Sequence, residues 1–135
     1  MTIYALSSGP GMSGIGVIRI SGPDTKKVIS KLTNGSFPKP RIATLKKINK
    51  INNNELIDEG IIIWFPGPQS YTGEDMAEFH VHGSRSVIEA IHNSISKIEN
   101  CKMAEPGEFT KIAFQNGKIN LLQAESIADL ISSET

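Results

Sequence analysis

Cysteine is almost absent from this sequence: Cys101 is the single one among 135 residues, so no intrachain disulfide can form. A basic-then-apolar leader and a long apolar run are lacking as well, which leaves a cytoplasmic location as the expectation and no membrane partner. Excess charge of either sign is also missing. Fourteen lysines and arginines balance fourteen aspartates and glutamates, so the counterion release that drives non-specific nucleic-acid binding has no global charge behind it. Contact with RNA must then be local or come from parts outside these residues. What is present suffices for a core: 39% of the residues are hydrophobic and 21% charged, the balance of a folded chain. A domain of this length buries roughly two thirds of the surface its unfolded chain exposes.

Strand and helix signals follow one another along the chain. Thr2 to Ser7 and Ile15 to Ile20 read as two strands joined by the turn formers Ser8-Gly9-Pro10-Gly11-Met12-Ser13-Gly14. Ser21-Gly22-Pro23-Asp24 offers a helix start, Val28, Ile29 and Leu32 recur at helical spacing, and Asn34-Gly35 stops the run. A third strand is expected from Arg41 to Ile48, then a hairpin loop over the polar residues 49–55. The continuous apolar run Gly60-Ile61-Ile62-Ile63-Trp64-Phe65 predicts a central strand covered on both faces, ended by Pro66-Gly67-Pro68. Met76 to Val81 alternates, with Ala77, Phe79 and Val81 on one face and Met76, Glu78 and His80 on the other. Ser86-Val87-Ile88-Glu89 has capping-box spacing ahead of the stripe Val87, Ile88, Ile91, Ile95 and Ile98, a helix that covers the sheet. A short strand near Lys102 to Ala104 precedes a helix from Pro106 through Phe114, which Asn116-Gly117 ends. Asn120 with Gln123 opens a last helix, whose stripe is Ala124, Ile127, Ala128 and Ile131. That helix meets the terminus without a stop signal and reads as cut from a longer chain.

Several patterns invite chemistry. Gly9 to Gly14 matches G-x-G-x-x-G, but the dinucleotide fingerprint needs a helix amino terminus after the loop, and a β-branched strand follows here. Asn116-Gly117-Lys118 resembles the end of a phosphate-binding P-loop, yet Ile112 and Ile119 stand where glycine and a hydroxyl residue are required. His80 and His82 share a strand face, and Glu78 is a third candidate metal ligand. Without a fourth ligand of clear spacing, hydrogen-bonding or packing histidines are the expectation and no metal site is assigned. His92 is expected at the surface. Cys101 has no recognisable base beside it and reads as a partly buried thiol. Arg19 shares its strand face with Ile15 and Val17, and a guanidinium there needs an anionic partner. Glu78 poses the same problem in opposite sign, and Lys118 lies at a helix-to-helix turn. These three charges are suited to a ligand that carries both kinds of group, or to pairing with one another.

Four groups of residues, in order and spacing, resemble the amino-terminal region of the tRNA-modification GTPases known as MnmE or TrmE. They are Thr2-Ile3-Tyr4-Ala5 with Gly14 to Gly22; Trp64 to Pro68 with Tyr71-Thr72-Gly73-Glu74-Asp75; Glu78 with His82-Gly83; and Pro106 to Thr110 running into Asn116-Gly117-Lys118 and Gln123-Ala124-Glu125. The likeness departs at Ile112, Asn120 and Ser84, where arginine, aspartate and a second glycine are usual.

The resemblance implies an α+β domain, a mixed β-sheet packed with helices, similar to the folate-binding domain of the glycine-cleavage T-protein. It implies a homodimer that binds a tetrahydrofolate derivative, in the 5-formyl or methylene form, through Arg19, Glu78 and Lys118. A pterin offers paired N–H donors to Glu78, and the carboxylates of the folate tail suit Arg19 and Lys118. Residues 1–118 would form this folate-binding and dimerisation domain and residues 119–135 the start of a helical region. No catalytic residue is assigned within the chain. In the parent protein the folate supplies a one-carbon unit for carbon 5 of the tRNA wobble uridine, with an FAD-dependent partner protein, tRNA bound by the full-length complex, and GTP, magnesium and potassium sites outside this chain. The competing expectations are an independent folate enzyme, for which Glu74 and Asp75 are the nearest candidate acids, and a pure dimerisation module.

Overall fold

The computed structural model describes residues 1–7 and 14–133, with side chains as far as residue 127. The glycine-rich segment of residues 8–13 and the stripe positions Ala128 and Ile131 lie outside those descriptions. Among the described residues, six strands and four helices follow in the order β1 (Thr2–Leu6), β2 (Ile15–Ser21), α1 (Thr25–Leu32), β3 (Thr44–Asn49), β4 (Leu56–Phe65), β5 (Met76–His82), α2 (Arg85–Ser96), β6 (Cys101–Met103), α3 (Glu108–Gln115) and α4 (Leu121–Ser133). The strands form one sheet in the order β3-β4-β5-β2-β1-β6. Only the β1–β6 pairing is parallel, so the sheet is mixed and the class is α+β, as expected.

Alternation decides which face is covered. On one face Ile18 and Ile20 of β2, Phe79 and Val81 of β5, and Ile62 and Trp64 of β4 meet Val28, Ile29 and Leu32 of α1 and Ile88, Ile91 and Ile95 of α2. Burying a side chain of this kind contributes about 1.5–3 kcal/mol, so this layer supplies most of the drive to fold. The Asn120 and Gln123 signal is realised as a reciprocal cap: each backbone N–H is accepted by the other's side-chain oxygen, at 2.9 and 2.8 Å.

Three expectations are corrected. The β4 run is not covered on both faces: Gly60, Ile62 and Trp64 are buried, whereas Ile61, Ile63 and Phe65 are half-exposed, because α1 and α2 pack on one side only. Met76 keeps the face that alternation predicts, with Glu78 and His80, and is buried there because the loop of residues 66–75 folds over that end of the strand and the Thr72 N–H points at its sulfur. Ser84, not Ser86, caps α2, its Oγ accepting from the Val87 N–H. Strand β3 begins at Thr44 because Arg41 adopts a φ of 65°, and its guanidinium donates to the carbonyls of Pro66 and Gln69.

Candidate functional site

The face of the sheet turned away from α1 and α2 carries the charges. Strands β2 and β5 are not consecutive, yet their antiparallel register sets Arg19 directly opposite Glu78. Arg19 Nη2 and Glu78 Oε2 are 3.8 Å apart, close enough for an ion pair and too far for a hydrogen bond. The guanidinium lies 5.4 Å from the centre of the Tyr71 ring and 5.9 Å from that of Phe109. Its Nε is buried and has no hydrogen-bond partner among the described residues. An unmet buried donor costs about 1–3 kcal/mol, which an arriving acceptor would offset. Arg19, Tyr71 and Phe109 line a cleft of about 420 Å³ together with Ala5, Ala104 and Pro106.

Lys118 is not brought into this group and, like Glu78, is not among the residues that line the cleft. It stands three residues beyond α3, exposed, and its Cε lies against Gly73. Helix α3 links that turn to the cleft: Phe109 near its start touches Arg19, Thr110 Oγ1 is 3.1 Å from the Tyr71 hydroxyl, and Asn116 Nδ2 donates to the Thr72 carbonyl at 2.7 Å. Among the described residues the Lys118 ammonium makes no ion pair. A larger hollow, about 570 Å³, lies between the β3–β4 loop and α2, lined by Lys50, Asn52, Asn93 and Lys97, and contains none of the three charges.

His80 and His82 have carboxylate partners. His80 Nε2 is 2.9 Å from Glu78 Oε1, and His82 Nδ1 is 2.8 Å from Asp58 Oδ1. Burial raises the Asp58 carboxyl, but hydrogen bonds from the His82 N–H, the His82 ring and the Glu59 N–H outweigh it and leave the group below the ordinary carboxylate value. No cluster of three metal-ligating side chains occurs among the described residues. His92 departs from expectation: it is half-buried, with Nε2 buried and unpartnered among the described residues and its ring edge-on to Tyr4 at 5.3 Å, and burial lowers its pKa. Cys101 is half-buried, and burial, with Asp24 adding to it, pushes the thiol up, away from nucleophilic use. Glu74 and Asp75 build the turn instead of facing the cleft: Glu74 accepts from Ser21 Oγ and Asp75 from the Gly67 N–H, each at 2.9 Å. No helix of the described residues is long and apolar enough to cross a membrane.

Sequence reasoning found Arg19 and Glu78 because a charge on an apolar strand face stands out. It missed Tyr71 and Phe109, whose contact with Arg19 is made by a loop and a helix more than 50 positions away in the chain.

The family model described as GTP-binding protein TrmE N-terminus matches residues 2–118. The chain is 76% identical over 135 residues to a tRNA modification GTPase MnmE of Pelagibacter ubique (strain HTCC1062), covering 100% of this chain and 30% of that protein. It is 46% identical over 134 residues to the mitochondrial 5-taurinomethyluridine-[tRNA] synthase subunit GTPB3 of Danio rerio, covering 99% of this chain and 27% of that protein. Against a tRNA modification GTPase MnmE of Brucella anthropi the identity is 48% over 134 residues, 99% of this chain and 30% of the other. The chain therefore spans less than a third of the length of these relatives.

Proposed function

The chain belongs to the GTP-binding protein TrmE N-terminus family, and from that membership we propose that it binds a tetrahydrofolate derivative and pairs with a second copy of itself. The parent protein in this reading is a GTPase that modifies carbon 5 of the tRNA wobble uridine. GTP, magnesium and potassium act outside these residues, and an FAD-dependent protein is the partner in the tRNA chemistry.

The observation that carries the ligand reading is the Arg19 guanidinium, framed by Tyr71 and Phe109 at the cleft with one buried N–H unmet, beside a carboxylate it does not hydrogen-bond. A ligand that fits must accept from Arg19 and donate to Glu78. A pterin does both from one end: its carbonyl oxygen accepts, and its ring N–H and amino group donate as a pair. The 3.8 Å separation also revises the roles implied by resemblance. The pterin and the glutamate tail of one folate lie much farther apart than that, so Arg19 and Glu78 serve the same end of the ligand. The tail carboxylates fall to Lys118, exposed at the turn after α3. Pairing with a second copy is supported by the uncovered half of the sheet, where Leu45, Ile61 and Ile63 stay in reach of solvent.

Calorimetric titration with 5-formyltetrahydrofolate tests the reading. The expected result is one ligand per protomer, with Glu78→Ala and Arg19→Ala each losing affinity even for a tail-free pterin, by about tenfold or more. Lys118→Ala should weaken only the ligand that keeps its tail. An Arg19→Ala variant that binds the tail-free pterin as tightly as the unaltered chain would sink the assignment of Arg19 to the pterin end. No heat from the unaltered chain at millimolar ligand would sink folate binding by these residues.

A further inference from the structure

His80 is joined to the proposed ligand contacts although nothing in the ligand requires it. It follows Glu78 by two residues on the same face of β5, and its ring is half-buried. Residues two apart on a strand share a face and stand roughly 7 Å apart, so the pair meets only because the two side chains lean together. Across the sheet His80 faces Val17 of β2 and Ile61 of β4, neither of which has a side-chain hydrogen-bonding group. The ring therefore turns to Glu78, and Nε2 comes within 2.9 Å of Oε1. A carboxylate oxygen accepts, so in this contact Nε2 is the nitrogen that carries a proton and donates.

This contact accounts for two oddities of the cleft. Arg19 and Glu78 are matched in charge and placed in register, yet they stop at 3.8 Å, and the Arg19 Nε–H stays unmet. An unrestrained arginine and carboxylate on neighbouring strands would be expected to close into a two-point hydrogen-bonded pair. We propose that His80 is a positioning residue: its Nε2–H holds Oε1 of Glu78 along β5, prevents the carboxylate from closing onto Arg19, and so leaves both groups open to a ligand. The tether is a property of this chain; only the identity of what fills the gap rests on the folate reading.

Three variants decide it: His80→Gln, whose amide N–H can still donate to Oε1; His80→Phe, which cannot and whose ring suits Val17 and Ile61; and Glu78→Gln. Thermal melts confirm that each is folded. Nitrogen NMR of the unaltered chain near neutral pH should show His80 as the Nε2–H tautomer, and this preference should fade in Glu78→Gln. In His80→Phe the Arg19 Nε–H should shift downfield and exchange more slowly as Glu78 closes on it, while His80→Gln keeps the unaltered signal. Affinity for 5-formyltetrahydrofolate should fall by about tenfold in His80→Phe and be largely kept in His80→Gln, the size of one hydrogen bond to a charged group. An Nδ1–H tautomer, or an Arg19 signal unmoved in His80→Phe, overturns the proposal. If the unaltered chain binds no folate, the ligand reading fails by itself and the NMR signals still decide whether His80 holds Glu78.

Discussion

A single imidazole shows how burial turns a side chain into a dependence on acidity. His92 has its Nε2 buried without a partner among the described residues, and desolvation favours the neutral ring, lowering the pKa from the ordinary 6.5. Below that ordinary value the unfolded chain takes up a proton that the folded chain refuses, so stability is lost as the pH falls from about 6.5 toward the folded pKa. Denaturant unfolding at pH 7.5 and 5.5 should show this loss, and His92→Phe should shrink it while leaving the loss at lower pH, where Asp58 protonates, in place. An unchanged difference between the two pH values in His92→Phe would assign the loss to other groups. The position was legible in hindsight from helical geometry: His92 follows Ile88 by four and precedes Ile95 by three, so it borders the buried stripe. Its polar neighbour Asn93 masked that signal.

Among the elements, α3 and the loop of residues 66–75 act as one wall of the cleft, joined by Thr110 to Tyr71 and by Asn116 to Thr72. Gly73 is the pivot, with a φ of 83°; a Cβ there would sit 3.1 Å from Asn116 Cβ and 3.2 Å from Lys118 Cε. Gly73→Ala should cost about 1–2 kcal/mol from the left-handed backbone alone, and it should displace the turn that carries Lys118. The check is a lower melting temperature together with a loss of tail-dependent folate affinity larger than that for the tail-free pterin. Equal losses for both ligands would place the damage in the cleft as a whole. Element signals carried by adjacent residues were readable, as at Asn120 and Gln123. The start of α2 is hidden in the sequence because Ser86 to Glu89 has the spacing of a capping box, whereas the chain turns into the helix two residues earlier, straight after Gly83.

At the scale of the whole molecule, the sequence could not show that α1 and α2 pack on the same side of the sheet and leave β4 without a helix on its other side. The β4 run looked like a strand buried twice, but its second apolar set, Ile61 and Ile63, faces the side away from α1 and α2. Likewise, the opposition of Arg19 and Glu78 depends on β2 pairing with β5 across two intervening strands and a helix, which no local pattern encodes. The uncovered side has the makings of a self-complementary surface: Leu45 is 60% exposed, a hollow of about 260 Å³ opens beside it over Ile61 and His80, and Lys47 stands opposite Glu59. A two-fold copy can set apolar against apolar and each charge against its opposite. Leu45→Glu places a charge at the centre of that patch, where pairing would have to desolvate it, and should convert dimers to monomers in sedimentation at micromolar protein. Lys97→Glu, on the α2 side, should leave the dimer intact. Equal dissociation by both variants would mean that net charge, not this face, governs association, and a monomer at every concentration of the unaltered chain would remove the second copy from the reading.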